Sequence, residues 1–131
     1  MFTWDDRAAE QNHRELDIEL TRWGDPGSKN AQDVVQPYYI PTNVARFIAP
    51  SGVLTHSFRW EPGKATFRTV YGKNGNVRGG KSRGVAEQTF STGVPSPGDE
   101  SVHLTLFVYG NTKSPLQKNA EVVIEKFEYL P

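Results

Sequence analysis

The 131-residue chain has no cysteine, which excludes disulfides and thiolate chemistry but leaves the compartment open, since many secreted proteins lack them. No apolar run approaches the roughly 20 residues that a membrane-spanning helix needs. The opening Met1-Phe2-Thr3-Trp4-Asp5 lacks the layout of a signal peptide. Net charge is also missing: 15 Lys+Arg balance 15 Asp+Glu, so no field recruits nucleic acid, an acidic membrane or a polyanionic substrate. Neutral glycans remain compatible. Helical periodicity is scarce as well, and only Arg7 to Asn12 reads as a single helical turn between strands.

What is present is a succession of short β-type segments divided by turn residues. The most informative runs from Glu15 to Leu20, where acidic and apolar residues alternate without a break. On a strand, side chains two apart share a face, so Leu16, Ile18 and Leu20 are expected in a core, with Glu15, Asp17 and Glu19 on the opposite face. Acidic residues on an exposed strand deter edge-to-edge aggregation, yet Asp and Glu are depleted in strands and three in a row are locally unfavourable. The spacing suits chemistry. Cα atoms at Glu15 and Glu19 lie roughly 13 Å apart on a strand, and inward-leaning side chains bring the carboxyls toward the roughly 5 to 5.5 Å of retaining glycoside hydrolysis. Asp17 adds like charge between them and is expected to hold one glutamate protonated near neutrality.

Gly24 to Ser28 is a dense turn signal, and the next strand is expected from Val34 to Tyr39, pairing with the acidic one as a hairpin. Phe47-Ile48, Leu54 to Trp60 and Ala65 to Tyr71 follow as strands, with Glu61-Pro62-Gly63-Lys64 as a turn. Gly72 to Gly84 holds five glycines and several basic residues, and reads as a hairpin loop. It is not a phosphate cradle, which needs a following helix N-terminus. A strand from Ser101 to Tyr109 and a last one from Ala120 to Leu130 are expected to complete an all-β sandwich of antiparallel sheets. One domain fits the length.

Glu15-Leu16-Asp17-Ile18-Glu19-Leu20 resembles the E-[IL]-D-x-E signature of glycoside hydrolase family 16, the β-1,3- and β-1,3-1,4-glucanases. Four further stretches resemble that family in order: Thr21 to Pro26 with Val35 to Tyr38, Thr55 to Pro62, Val102 to Phe107, and Glu121 to Tyr129. The resemblance covers nearly the whole chain. It implies a concanavalin-like jelly roll in which residues 1–131 form the C-terminal part of the catalytic domain, without its N-terminal strands. It implies retaining cleavage of a β-glucan, with Glu15 as nucleophile, Glu19 as acid/base and Asp17 tuning both. Substrate contacts are implied at His13, Trp23, Gln36, Tyr38 and Phe107. Trp23 has the parity of the acids if the strand runs on straight. A secreted or cell-envelope location is implied too. No cofactor is expected. Relatives hold a structural calcium ion on the convex side, but its ligands would lie upstream, and Glu125 alone makes no site.

Two departures leave subsite specificity open. Thr105 and Phe107 stand where relatives often carry Asn and Trp, and His13 stands where many carry Trp. The histidines His13, His56 and His103 lack metal-ligand spacing. Ser57 lacks the Gly-x-Ser-x-Gly elbow of a nucleophilic serine, and Trp60 reads as core. Two other readings fit the same residues: a non-catalytic glycan-binding module, and a structural or partner-binding β-sandwich with exposed acids.

Overall fold

The computed structural model describes residues 1–73, 83–111 and 120–130. Among these, the protein is built of β-strands in two antiparallel sheets, with only short 3-10 turns as helical structure. Strands β1 (Phe2–Trp4), β2 (Leu16–Glu19), β3 (Ala31–Val35), β4 (Val44–Phe47) and β8 (Ser101–His103) form a five-stranded sheet in the order β4-β3-β2-β1-β8. Strands β5 (Leu54–Glu61), β6 (Lys64–Tyr71) and β7 (Gly84–Phe90) form a three-stranded sheet in sequence order. The β5–β6 turn is set by Pro62, which favours the first corner position, and by Gly63 at φ +73°, the left-handed conformation a type II turn requires at the second.

Each sheet sends one face into a shared core. Leu16, Ile18 and Val35 of the larger sheet cluster with Ala65, Phe67 and Phe90 of the smaller one and with Val94. Phe58 and Trp60 pack at its margin, and the Trp60 indole donates to the Pro95 carbonyl at 2.8 Å. Phe67 is fully buried and meets Phe90 edge-on at 5.5 Å, a geometry aromatic rings prefer. The core face of the larger sheet also carries an ionisable group. Asp33 lies opposite Ile18 in the β2–β3 ladder and is 2% exposed.

Several expected extents are corrected. β3 runs Ala31–Val35 rather than Val34 to Tyr39, because Pro37 brings no N–H to continue the ladder; Tyr38 and Tyr39 lie beyond it, exposed. β2 ends at Glu19, and Leu20, expected in the core, is 58% exposed. β8 covers only Ser101–His103, and residues 104–108 and 120–130 carry no strand and face solvent. They have the alternation of strands but no ladder partner to complete them. Most of the Gly72 to Gly84 loop falls outside the described residues.

Candidate active site

Cross-strand partners in an antiparallel ladder share a face, so the register shows what surrounds the acids. Asp17 stands opposite Phe2 on one side and Val34 on the other, while Glu19 stands opposite Gln32, which in turn stands opposite Arg46. Phe2 stands opposite His103 and Trp4 opposite Ser101. The face turned away from the core thus carries Arg46, Gln32, the acids, Phe2 and His103 across five strands. Glu15, just before β2, continues the row, since its side chain is hydrogen-bonded to that of Asp17.

Asp17 is the buried centre of the row, 2% exposed. Burial between apolar neighbours disfavours its charge, and Glu15 and Glu19 repel it further, so its pKa is pushed up to about 8. At neutral pH Asp17 is therefore the member that keeps a proton, where a glutamate was expected to. Of its hydrogen bonds, the one with Glu15 adds to the rise and the one from Gln36 opposes it. Gln36 Nε2 donates to Asp17 Oδ2 at 2.9 Å, and the Tyr38 backbone N–H donates to Gln36 Oε1 at 2.8 Å, which fixes the amide's orientation. With one carboxyl oxygen occupied as acceptor, the protonated Asp17 donates to Glu15. Burial raises the Glu15 pKa, and the bond from Asp17 opposes the rise by stabilising the carboxylate.

Glu19 has a different surrounding. Burial raises its pKa, while donors from Gln32 and the Trp23 side chain, together with the charges of the Met1 α-ammonium and Arg46, counter the rise. Gln32 Nε2 donates to Glu19 Oε2. Trp23 sits in a turn at φ +50°, not on a straight continuation of β2, and still reaches Glu19. Its ring meets Tyr109 edge-on at 5.0 Å and Phe107 at 6.3 Å, so an aromatic group stands at the Glu19 end.

A second aromatic group stands at the Glu15 end. The His13 ring stacks on Trp4 at 3.9 Å and 11°, and Phe2 stacks on His103 at 4.9 Å and 15°. His13 gets there through a run of left-handed residues, Asn12 (φ +50°), His13 (+56°) and Arg14 (+53°), a conformation costly for side chains with a Cβ. β1 and the residue after it hold the run. Asp5 N donates to the His13 carbonyl at 2.8 Å, Arg14 Nη1 donates to Asp5 Oδ2 at 2.7 Å, and Thr3 Oγ1 donates to the Arg14 carbonyl at 2.7 Å while accepting from Leu16 N at 2.9 Å. His13 Nδ1 lies 3.1 Å from the Asp5 carbonyl, so the neutral ring carries its proton there and leaves Nε2 as an acceptor. An open groove of about 840 Å³ borders Glu15 and is lined by Phe2, Trp4, Arg7, Asp99, Ser101 and His103 among others.

Glu15, Asp17 and Glu19 share one face, Gln36 is bonded to Asp17, Trp23 to Glu19, and Phe107 lies beside Trp23. His13 stands at the Glu15 end. Tyr38 contributes its backbone to Gln36, while its exposed ring contacts Tyr39. Gln32, Arg46, Phe2 and Trp4 join the site without having been among the sequence candidates, and strand parity is the available signal for the last two. The Glu125 carboxylate is paired with Lys73 Nζ at 2.7 Å, and no group of three or more His, Asp or Glu placed to hold a metal ion occurs among the described residues. Compared with family models, with curated proteins and with solved structures, the chain finds no match.

Proposed function

We propose that the protein is a retaining β-glucan hydrolase of the family 16 kind, acting on β-1,3 or mixed-linkage chains, on a concanavalin-like jelly roll and outside the cytoplasm. The observation that carries this reading is the row Glu15, Asp17, Glu19 on one sheet face, with a buried Asp17 bonded to Glu15 and an aromatic group at either end. Glu15, ionised with help from Asp17, attacks the anomeric carbon as the C–O bond breaks, and Glu19 gives its proton to the leaving oxygen. Glu19 then takes a proton from water, whose oxygen displaces Glu15 from the sugar. The apolar ring faces suit the C–H faces of pyranoses, and the polar groups between them suit hydroxyls.

The test is turnover of laminarin and of mixed-linkage glucan by a reducing-end assay, on the protein and on two variants. Glu15→Gln and Glu19→Gln each lose several orders of magnitude. An aryl glycoside with a good leaving group needs little protonation, so it restores bond cleavage in Glu19→Gln and not in Glu15→Gln. Equal rescue in both overturns the roles. Binding of the glucans without turnover replaces the enzyme by a glycan-binding module, and absence of both leaves only a structural sandwich.

A further inference from the structure

We infer that Arg46 is a positioning residue for Glu19 and acts on it through the side-chain amide of Gln32. The three residues sit side by side on β4, β3 and β2, Arg46 opposite Gln32 and Gln32 opposite Glu19, all on the face of the acids. Arg46 Nη1 donates to Gln32 Oε1 at 2.5 Å, and Gln32 Nε2 donates to Glu19 Oε2. An amide can turn over and present either end to a neighbour, but a guanidinium only donates. Arg46 therefore forces the oxygen of Gln32 toward itself and the NH2 toward Glu19. With Arg46 gone, Gln32 is free to offer its oxygen to Glu19, an arrangement that demands a protonated carboxyl.

The guanidinium is itself fixed. Its Nη2 donates to the Lys29 carbonyl at 2.7 Å and to the Thr21 carbonyl at 3.2 Å, which binds both ends of the β2–β3 connection, and Lys29 Nζ donates back to the Arg46 carbonyl at 3.0 Å. Arg46 Nε is buried without a partner, a cost that anchoring two loop carbonyls does not by itself account for. Arg46 also acts on Glu19 directly through its charge, and the other groups acting on Glu19 are the Trp23 indole, the Met1 α-ammonium, and Glu15 and Asp17 along β2. None of them touches Gln32 in the way Arg46 does. As a base, Glu19 must be ionised to activate water in the second half of the reaction, so the relay serves that step.

The inference rests on Glu19 as acid/base, and the experiment separates the two. The Glu19 carboxyl is followed by carbon-detected NMR through a pH titration in the native protein, Arg46→Met, Arg46→Lys, Gln32→Leu and the double variant Gln32→Leu/Arg46→Met. Arg46→Met moves the Glu19 midpoint to higher pH, Arg46→Lys moves it less, and in the Gln32→Leu background the second substitution adds little. On an activated aryl glycoside, where the second step limits turnover, Arg46→Met lowers kcat by about tenfold, a part of what general acid–base catalysis contributes, and KM falls with it. A Glu19 midpoint that stays put in folded Arg46→Met and Arg46→Lys overturns the relay, as does an equal shift with and without Gln32. A midpoint that moves as stated in a protein that cleaves no glucan upholds the relay and removes the acid/base role.

Discussion

At the scale of single residues, two buried aspartates set how the protein answers to pH. Asp17 and Asp33 are pushed up to about 8 and about 7 by burial, far above an unfolded aspartate near 3.8. Between the unfolded and folded values the native state binds more protons than the unfolded one. Stability therefore falls as pH rises from about 4 to about 8 and levels off above that. Thermal melts across this range show the slope, and Asp33→Asn, which removes one of the titrating groups, makes it shallower. A melting temperature that rises over the same range contradicts the assignment. On the proposed mechanism, the raised pKa values of Glu15 and Glu19 shift both limbs of the pH profile to the alkaline side of free carboxylates. Alternation made the shared face of the acids legible in the sequence. It did not show which acid keeps the proton, because that depends on Phe2 and Val34, which pairing brings against Asp17 from strands the alternation does not name.

At the scale of elements, the segment before β2 decides where Glu15 and His13 point. The left-handed run Asn12 to Arg14 persists because Thr3 and Asp5 occupy its backbone groups. Thr3→Val removes the hydroxyl and leaves the Leu16 N–H and the Arg14 carbonyl without it. A loss of about 1–3 kcal/mol for each buried group left unpaired follows, read by urea denaturation, and on the proposed function glucan binding weakens as the His13–Trp4 stack loosens. Unchanged stability would mean the run is held by other contacts. Nothing in the local sequence announced this turn, since Asn, His and Arg are not glycine, and long-range bonds hold them there. β3 begins earlier than its sequence suggests for a related reason. Ala31, Gln32 and Asp33 are poor strand formers alone, and they join the ladder because β2 offers them a register. Paired hairpins such as β5–β6 were easier, with propensity, turn and alternation in agreement.

At the scale of the whole molecule, one core joins the two sheets while a second set of apolar side chains stays outside it. Phe67→Ala in that core costs about 3–5 kcal/mol, as large-to-small aromatic changes do, and denaturation measures it. Leu104, Leu106, Val108, Val123, Phe127 and Tyr129 are exposed along segments with no strand partner. Exposed apolar segments of this length bind other surfaces, so sedimentation at rising concentration is expected to show self-association, relieved by Leu106→Lys. A monomer at every concentration contradicts that. The all-β class was legible from turn spacing, whereas the ends of β8 and the course of residues 120–130 were not, because alternation marks a strand only where a neighbour pairs with it.

The account turns on Glu15 as a nucleophile beside a protonated Asp17. The most direct measurement is incubation with an activated 2-deoxy-2-fluoro β-glucan oligosaccharide, which slows release of a glycosyl-enzyme, followed by mass spectrometry of the peptides. The account predicts one added glycosyl group, carried by the peptide containing residues 15 to 19 and localised to Glu15, absent in Glu15→Gln. An adduct on Asp17 or Glu19, or a folded protein that forms none, contradicts it.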